Sequence, residues 1–76
     1  MSNIEKIEVN TETIQLDQFL KWAGVLESGG QVKLMIEDEM ILVNGIVETA
    51  RRKKLHDGDV VEIKEMGSWQ VVFKGE

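Results

Sequence analysis

Apolar and polar residues alternate near the start of the chain. Ile7 and Val9 stand two apart within Ile4 to Val9, which predicts a strand. Thr11-Glu12-Thr13 is a polar break. From Leu16 the period changes. Leu16, Phe19, Leu20 and Ala23 fall at i, i+3, i+4 and i+7, on one face of a helix. Asp17 in the first turn suits the positive end of the helix dipole. Gly24 stands where a left-handed cap stops a helix. A second helix starts at Ser28-Gly29-Gly30-Gln31, which has the S-x-x-Q form of a capping box. In that motif the Ser28 hydroxyl accepts from the Gln31 amide and the Gln31 side chain reaches back. Val32, Met35 and Ile36 form the inward stripe. The connection through Val25-Leu26-Glu27 is short, so the two helices are expected to pack as a compact hairpin.

The second half of the chain reads as β structure. Ile41-Leu42-Val43 and Ile46-Val47 flank Asn44-Gly45, a pair that tolerates positive φ and makes tight hairpin turns. A strict two-residue turn sets Glu48 on the face of Ile41, which fits poorly if that face is buried and which a bulge would resolve. His56-Asp57-Gly58-Asp59 marks a second turn before Val60-Val61-Glu62-Ile63. The stretch 66–76 is expected to add a last strand, its apolar run following Gly67-Ser68. It puts Trp69, Val71 and Phe73 on one face and Gln70, Val72 and Lys74 on the other. The order is strand, helix, helix, then three strands. This is an α+β fold, with two helices on one side of a small, mainly antiparallel sheet.

Composition sets bounds on this picture. A chain of 76 residues is expected to form one domain over 1–76. It has no cysteine, so neither a disulfide nor a thiolate metal site supports it. Its hydrophobic fraction of 42% is ordinary for a folded domain and too high for a disordered chain. No apolar run is long enough to span a bilayer. Met1-Ser2-Asn3-Ile4-Glu5-Lys6 lacks the basic-then-apolar pattern of a signal peptide, so a cytoplasmic protein is expected.

Charge adds a functional hint. The net charge of −5 argues against polyanion binding through overall charge. The cations are nevertheless concentrated. Residues 49–56 read Thr-Ala-Arg-Arg-Lys-Lys-Leu-His, with four cations and no acid, while acids crowd elsewhere, as in Glu37-Asp38-Glu39.

Four motifs in order carry a family resemblance. Leu16-Asp17-Gln18-Phe19-Leu20-Lys21 opens the first helix and Ser28-Gly29-Gly30-Gln31-Val32-Lys33 the second. Val43-Asn44-Gly45 makes the turn, and Lys54-Leu55-His56-Asp57-Gly58-Asp59-Val60-Val61 closes the unit. Over residues 14–64 this resembles the S4-type RNA-binding domain, most of all its stand-alone bacterial form. The resemblance implies a two-helix αL-type motif. The two helices and the following β-turn would form one RNA-binding face, in a protein that would bind structured RNA, ribosomal RNA above all. Three positions depart from the pattern. Gln15 stands where many relatives have arginine. Glu37-Asp38-Glu39-Met40 replaces a region that often carries glycine. Ala50 stands where the basic run often begins.

The residues support the same chemistry. A helix N-terminus offers unpaired N–H groups and positive partial charge, which together accept phosphate. Gly29 and Gly30 let a sugar-phosphate strand come close, and Lys33 lies one turn along. In the bland alternative, Ser28 and Gln31 only cap the helix and the glycines only make a tight bend. Arg51, Arg52, Lys53 and Lys54 are the stronger element, since arginine grips phosphate with two donors and lysine acts as a point charge. Their bland reading is a solvated loop. Asn44 serves its turn and borders the face that the resemblance implies; Gln15 and Lys21 are secondary candidates. Trp22 lies off the apolar stripe, as a core-edge residue or a stacking surface for a base. Trp69 is expected to pack in the sheet.

The expected function is recognition of structured RNA by a monomer, in ribosome assembly or translation, without cofactor, metal, membrane or small-molecule substrate. A second reading is a protein-interaction adaptor, which the net acidity, Gln15 and Ala50 favour. A third is metal-assisted hydrolysis at His56, Asp57 and Asp59, although an Asp- and Gly-rich turn needs no such explanation.

Overall fold

A computed structural model describes residues 3–74. Two strands precede the helices, β1 (Ile4–Val9) and β2 (Thr13–Gln15). The helices are α1 (Leu16–Trp22) and α2 (Gly29–Glu37). Then follow β3 (Ile41–Val43), β4 (Ile46–Val47), β5 (Lys54–His56), β6 (Val60–Ile63) and β7 (Gly67–Phe73). The expected run of strand, helix, helix and later strands is present, with short strands added to it. β7 lies within the strand expected over 66–76; residues 75 and 76, like the first two of the chain, lie outside the described residues.

Five strands form one sheet in the order β1-β7-β6-β3-β4. Every pair in it is antiparallel except β1 with β7, where Ile7 lies opposite Val71 and Val9 opposite Phe73. The sheet contributes Val9, Ile41, Val43, Val61, Ile63, Trp69 and Val71 to the core. The helices contribute Leu16, Phe19, Leu20, Val32 and Ile36. The alternation along β6, with Val61 and Ile63 inward and Glu62 outward, is that of a sheet with one covered face. Leu26, in the connection between the helices, is buried with them, which holds the helical pair together.

The second sheet was not expected. β2 pairs with β5, setting Ile14 opposite Leu55 and Gln15 opposite Lys54. The polar break expected at 11–13 therefore ends one residue early, because Thr13 opens a strand. Lys54, read from sequence as part of a loop, is a strand residue. Leu55 is fully buried between two exposed neighbours, and this burial fixes the register.

The hairpin after α2 corrects another expectation. Asn44 and Gly45 both have positive φ, 54° and 85°, as a two-residue turn of the favoured hairpin type requires. Val43 lies opposite Ile46 and Leu42 opposite Val47, without a bulge. Glu48 continues the ladder by donating its N–H to the Ile41 carbonyl at 2.9 Å. Its carboxylate is not left unpaired, because it accepts the Ala50 N–H at 3.0 Å.

Both helices end in the same hydrogen-bond motif on different residues. After α1, Gly24 N–H donates to Lys21 and Val25 N–H to Leu20. After α2, Glu39 N–H donates to Ile36 and Met40 N–H to Met35. This is the Schellman arrangement, and it needs one left-handed residue. Gly24 takes that position at φ 76°, whereas Glu39 takes it at φ 58°. A left-handed L-residue costs roughly 1–2 kcal/mol. Glu39 also adds an acid to the negative end of α2. Glu39→Gly is therefore expected to stabilise the fold by about 1 kcal/mol, after allowing for glycine's greater freedom in the unfolded chain. A melt followed by circular dichroism should move upward by about 4 °C or more. A lower midpoint would mean that the Glu39 side chain contributes more than its backbone strain removes.

Candidate nucleic-acid interface

The cationic segment is a tight turn docked on α1. Lys53 N–H donates to the Ala50 carbonyl at 3.1 Å and closes the turn. Its carbonyls then face the start of the helix. Leu16 N–H donates to the Lys53 carbonyl at 2.8 Å, and Asp17 N–H to the Arg51 carbonyl at 3.0 Å. Gln18 N–H is taken by the Asp17 carboxylate at 2.8 Å. Gln15, the N-cap, makes no side-chain capping bond. The backbone of a distant turn does the capping in its place.

Two consequences follow for charge. The first N–H groups of α1 are already used, so this helix start has little left to offer a phosphate. The turn meanwhile sets Arg51, Arg52 and Lys53 beside the positive end of a helix, where cations are least favourable. Among the described residues none of Arg51, Arg52, Lys53 and Lys54 is ion-paired to a carboxylate. Arg51 is half-buried and the other three are exposed. Their charge remains open to a partner from solution.

The start of α2 is different. Ser28 Oγ accepts the Gln31 N–H at 3.3 Å, as the capping motif predicts. The reciprocal contact is not the one predicted: Gln31 Oε1 accepts the Glu27 N–H, at 2.8 Å, one residue before the cap. The N–H groups of Gly29 and Gly30 have no acceptor among the described residues. Neither glycine has positive φ. A Cβ added at Gly29 would meet nothing within 4 Å, and one at Gly30 only Ser28 Oγ at 3.8 Å. Neither glycine is therefore required by a left-handed bend or by lack of room for a Cβ. Lys33 is exposed one turn along.

The remaining candidates differ in how free they are. Asn44 is committed to the fold. Its carboxamide oxygen accepts the Val60 N–H at 3.0 Å and its Nδ2 donates to Asp59 at 3.2 Å, which ties the hairpin turn to the turn before β6. Gln15 is exposed on β2 opposite Lys54, so it joins the cationic group. Lys21 is exposed in the last turn of α1. The cationic turn is thus tied to the first turn of α1. The connection to α2 is held at the far end of α1 by Val25 and Leu26, which donate to the Leu20 carbonyl.

The trio His56, Asp57 and Asp59 has structural partners. Asp59 accepts the His56 N–H at 2.8 Å, and Asp57 accepts the Phe73 N–H at 2.8 Å. The His56 ring nitrogen lies 3.8 Å from Asp59. Sequence reading missed the docking of the cationic turn on α1. The alternation of Thr13-Ile14-Gln15 and Lys54-Leu55-His56 was the available signal.

This architecture, with a helical pair and an adjoining cationic turn on a small sheet, is that of an S4 domain. The S4 domain family model matches residues 7–72, and the chain belongs to that family. It is 48% identical over 66 residues to the probable ribosome maturation protein RlbA of Bacillus subtilis strain 168, a match covering 87% of this chain and 93% of that protein. It also resembles the solution structure of YbcJ from E. coli, described as revealing an αL motif involved in RNA binding. There the TM-score is 0.68 and the identity 36%, over 95% of this chain and 91% of the other.

Proposed function

We propose that this protein is a binding module, not an enzyme, that recognises structured RNA, specifically ribosomal RNA, and acts in ribosome maturation. The proposed contact residues are Ser28, Gly29, Gly30, Gln31 and Lys33 at the start of α2, and Arg51, Arg52, Lys53 and Lys54. Gln15 and Lys21 flank them, and Asn44 contributes at most its second amide hydrogen.

One observation carries the reading. Two consecutive glycines open α2 where neither a positive φ nor lack of room requires glycine, and their N–H groups have no acceptor among the described residues. Glycine in a helix is less stable than alanine by up to about 1 kcal/mol. Open N–H groups are normal in a first helical turn, but here the absence of side chains leaves them accessible to a close approach from outside. Phosphate fits best, since it takes N–H donors at a positive helix end. The unpaired cations support the same ligand. So do the family membership, the ribosome-maturation relative and the RNA-binding motif described for the structural neighbour.

Four phosphate contacts give a log–log salt slope of about −3. That supplies modest affinity, so selectivity must come from the shape of a folded RNA. Crosslinking in cells, followed by sequencing of the attached RNA, tests the proposal. Reads concentrated in ribosomal RNA are expected. Partners that survive ribonuclease treatment, with no RNA enriched, would instead favour a protein adaptor.

A further inference from the structure

We infer that the indole of Trp22 is a stacking platform for an unpaired base of the bound RNA. The inference rests on the RNA-binding reading and adds a contact that it lacks. Trp22 closes α1 and remains 55% exposed, although tryptophan gains more from burial than most side chains. Its polar edge is not what faces the solvent. Nε1 donates to the Glu8 carbonyl at 2.8 Å, across from the end of α1 to the end of β1. That bond fixes the direction of the ring and uses its one donor. The exposed remainder is ring carbon, held in place on two rigid elements.

The surroundings decide which part of an RNA fits. Gln18, Lys21 and Trp22 are all exposed and fall at i, i+3 and i+4, on one outward strip of α1. Lys21 offers a charge for a backbone phosphate next to the ring. The ring carbons offer no donor to a phosphate, whereas the π-face of any base can stack on them. Bases are available for stacking only where an RNA helix is interrupted, at loops, bulges and ends. Trp22 therefore directs this protein to structured RNA that carries an unpaired nucleotide.

The test compares two short RNA hairpins that differ by one unpaired purine in the stem. The protein variants are Trp22→Phe and Trp22→Leu. Both lose the Nε1 hydrogen bond and only the first keeps a ring, so stacking is separated from anchoring. Matching thermal melts of the two variants check the fold. The wild type should prefer the bulged hairpin, Trp22→Phe should keep most of that preference, and Trp22→Leu should lose it by on the order of tenfold. Equal binding of both hairpins by the wild type, or equal losses in the two variants, overturns the platform and leaves the RNA-binding reading standing. No binding to either hairpin or to ribosomal RNA fragments removes both.

Discussion

Replacing Arg51, Arg52, Lys53 and Lys54 together by alanine is expected to abolish binding to ribosomal RNA fragments while the domain stays folded. The fold needs the backbone of this segment, not its charges. The carbonyls of Arg51 and Lys53 cap α1, and alanine keeps both. Leu55, the buried residue beside them, is untouched. None of the four cations is ion-paired among the described residues, so their removal breaks no such contact. It also relieves the repulsion between cations and the positive end of α1. The effect on RNA is the opposite. Four contacts to phosphate account for a salt slope of about −3, and any residual binding should have lost most of that dependence. Anisotropy titrations at several salt concentrations, paired with a thermal melt, measure both. A variant that binds as the wild type does would defeat the RNA assignment at this turn.

Alanine at Gly29 and Gly30 is expected to change stability and binding in opposite directions. Both positions are helical and have room for a methyl group. The double variant should gain about 1 kcal/mol, from a better helix and a less flexible unfolded chain. For a domain of this size that raises the melting midpoint by about 4 °C or more. The same methyl groups stand where a phosphate would reach the open N–H groups. A hydrogen bond to a charged group is worth about 1.5 kcal/mol or more, so losing one lowers affinity by about tenfold. A more stable protein that binds RNA less well is hard to explain by damage to the fold. If the variant is more stable and binds equally well, no strand approaches there, and the proposed site at the start of α2 is wrong.

Much of this site was legible before any coordinates. Local rules read Ser28 as a cap, Asn44-Gly45 as a turn and Gly24 as a helix stop, and each holds because the contact lies within a few residues. The departures have separate causes. Gln31 bonds Glu27 in place of the cap residue, a choice between two nearby donors that depends on how the chain enters the helix. Glu48 needed no bulge, because an N–H two residues on could satisfy its carboxylate. The Asn44 side chain also bonds Val60 and Asp59, about fifteen residues away along the chain, a link that no local rule shows.

The sequence by itself determined the helices and the order of the larger strands through apolar spacing, and the cluster of four cations through charge, since both are properties of neighbouring residues. Only the tertiary structure decided where those cations sit. β2 and β5 are three residues each and hold no signal strong enough to pair them at a distance. Burial of Leu55 and Ile14 between the helices and the larger sheet makes the pairing favourable. That pairing carries the turn at 50–53 onto α1, where its carbonyls cap the helix and its cations are left without a carboxylate partner among the described residues.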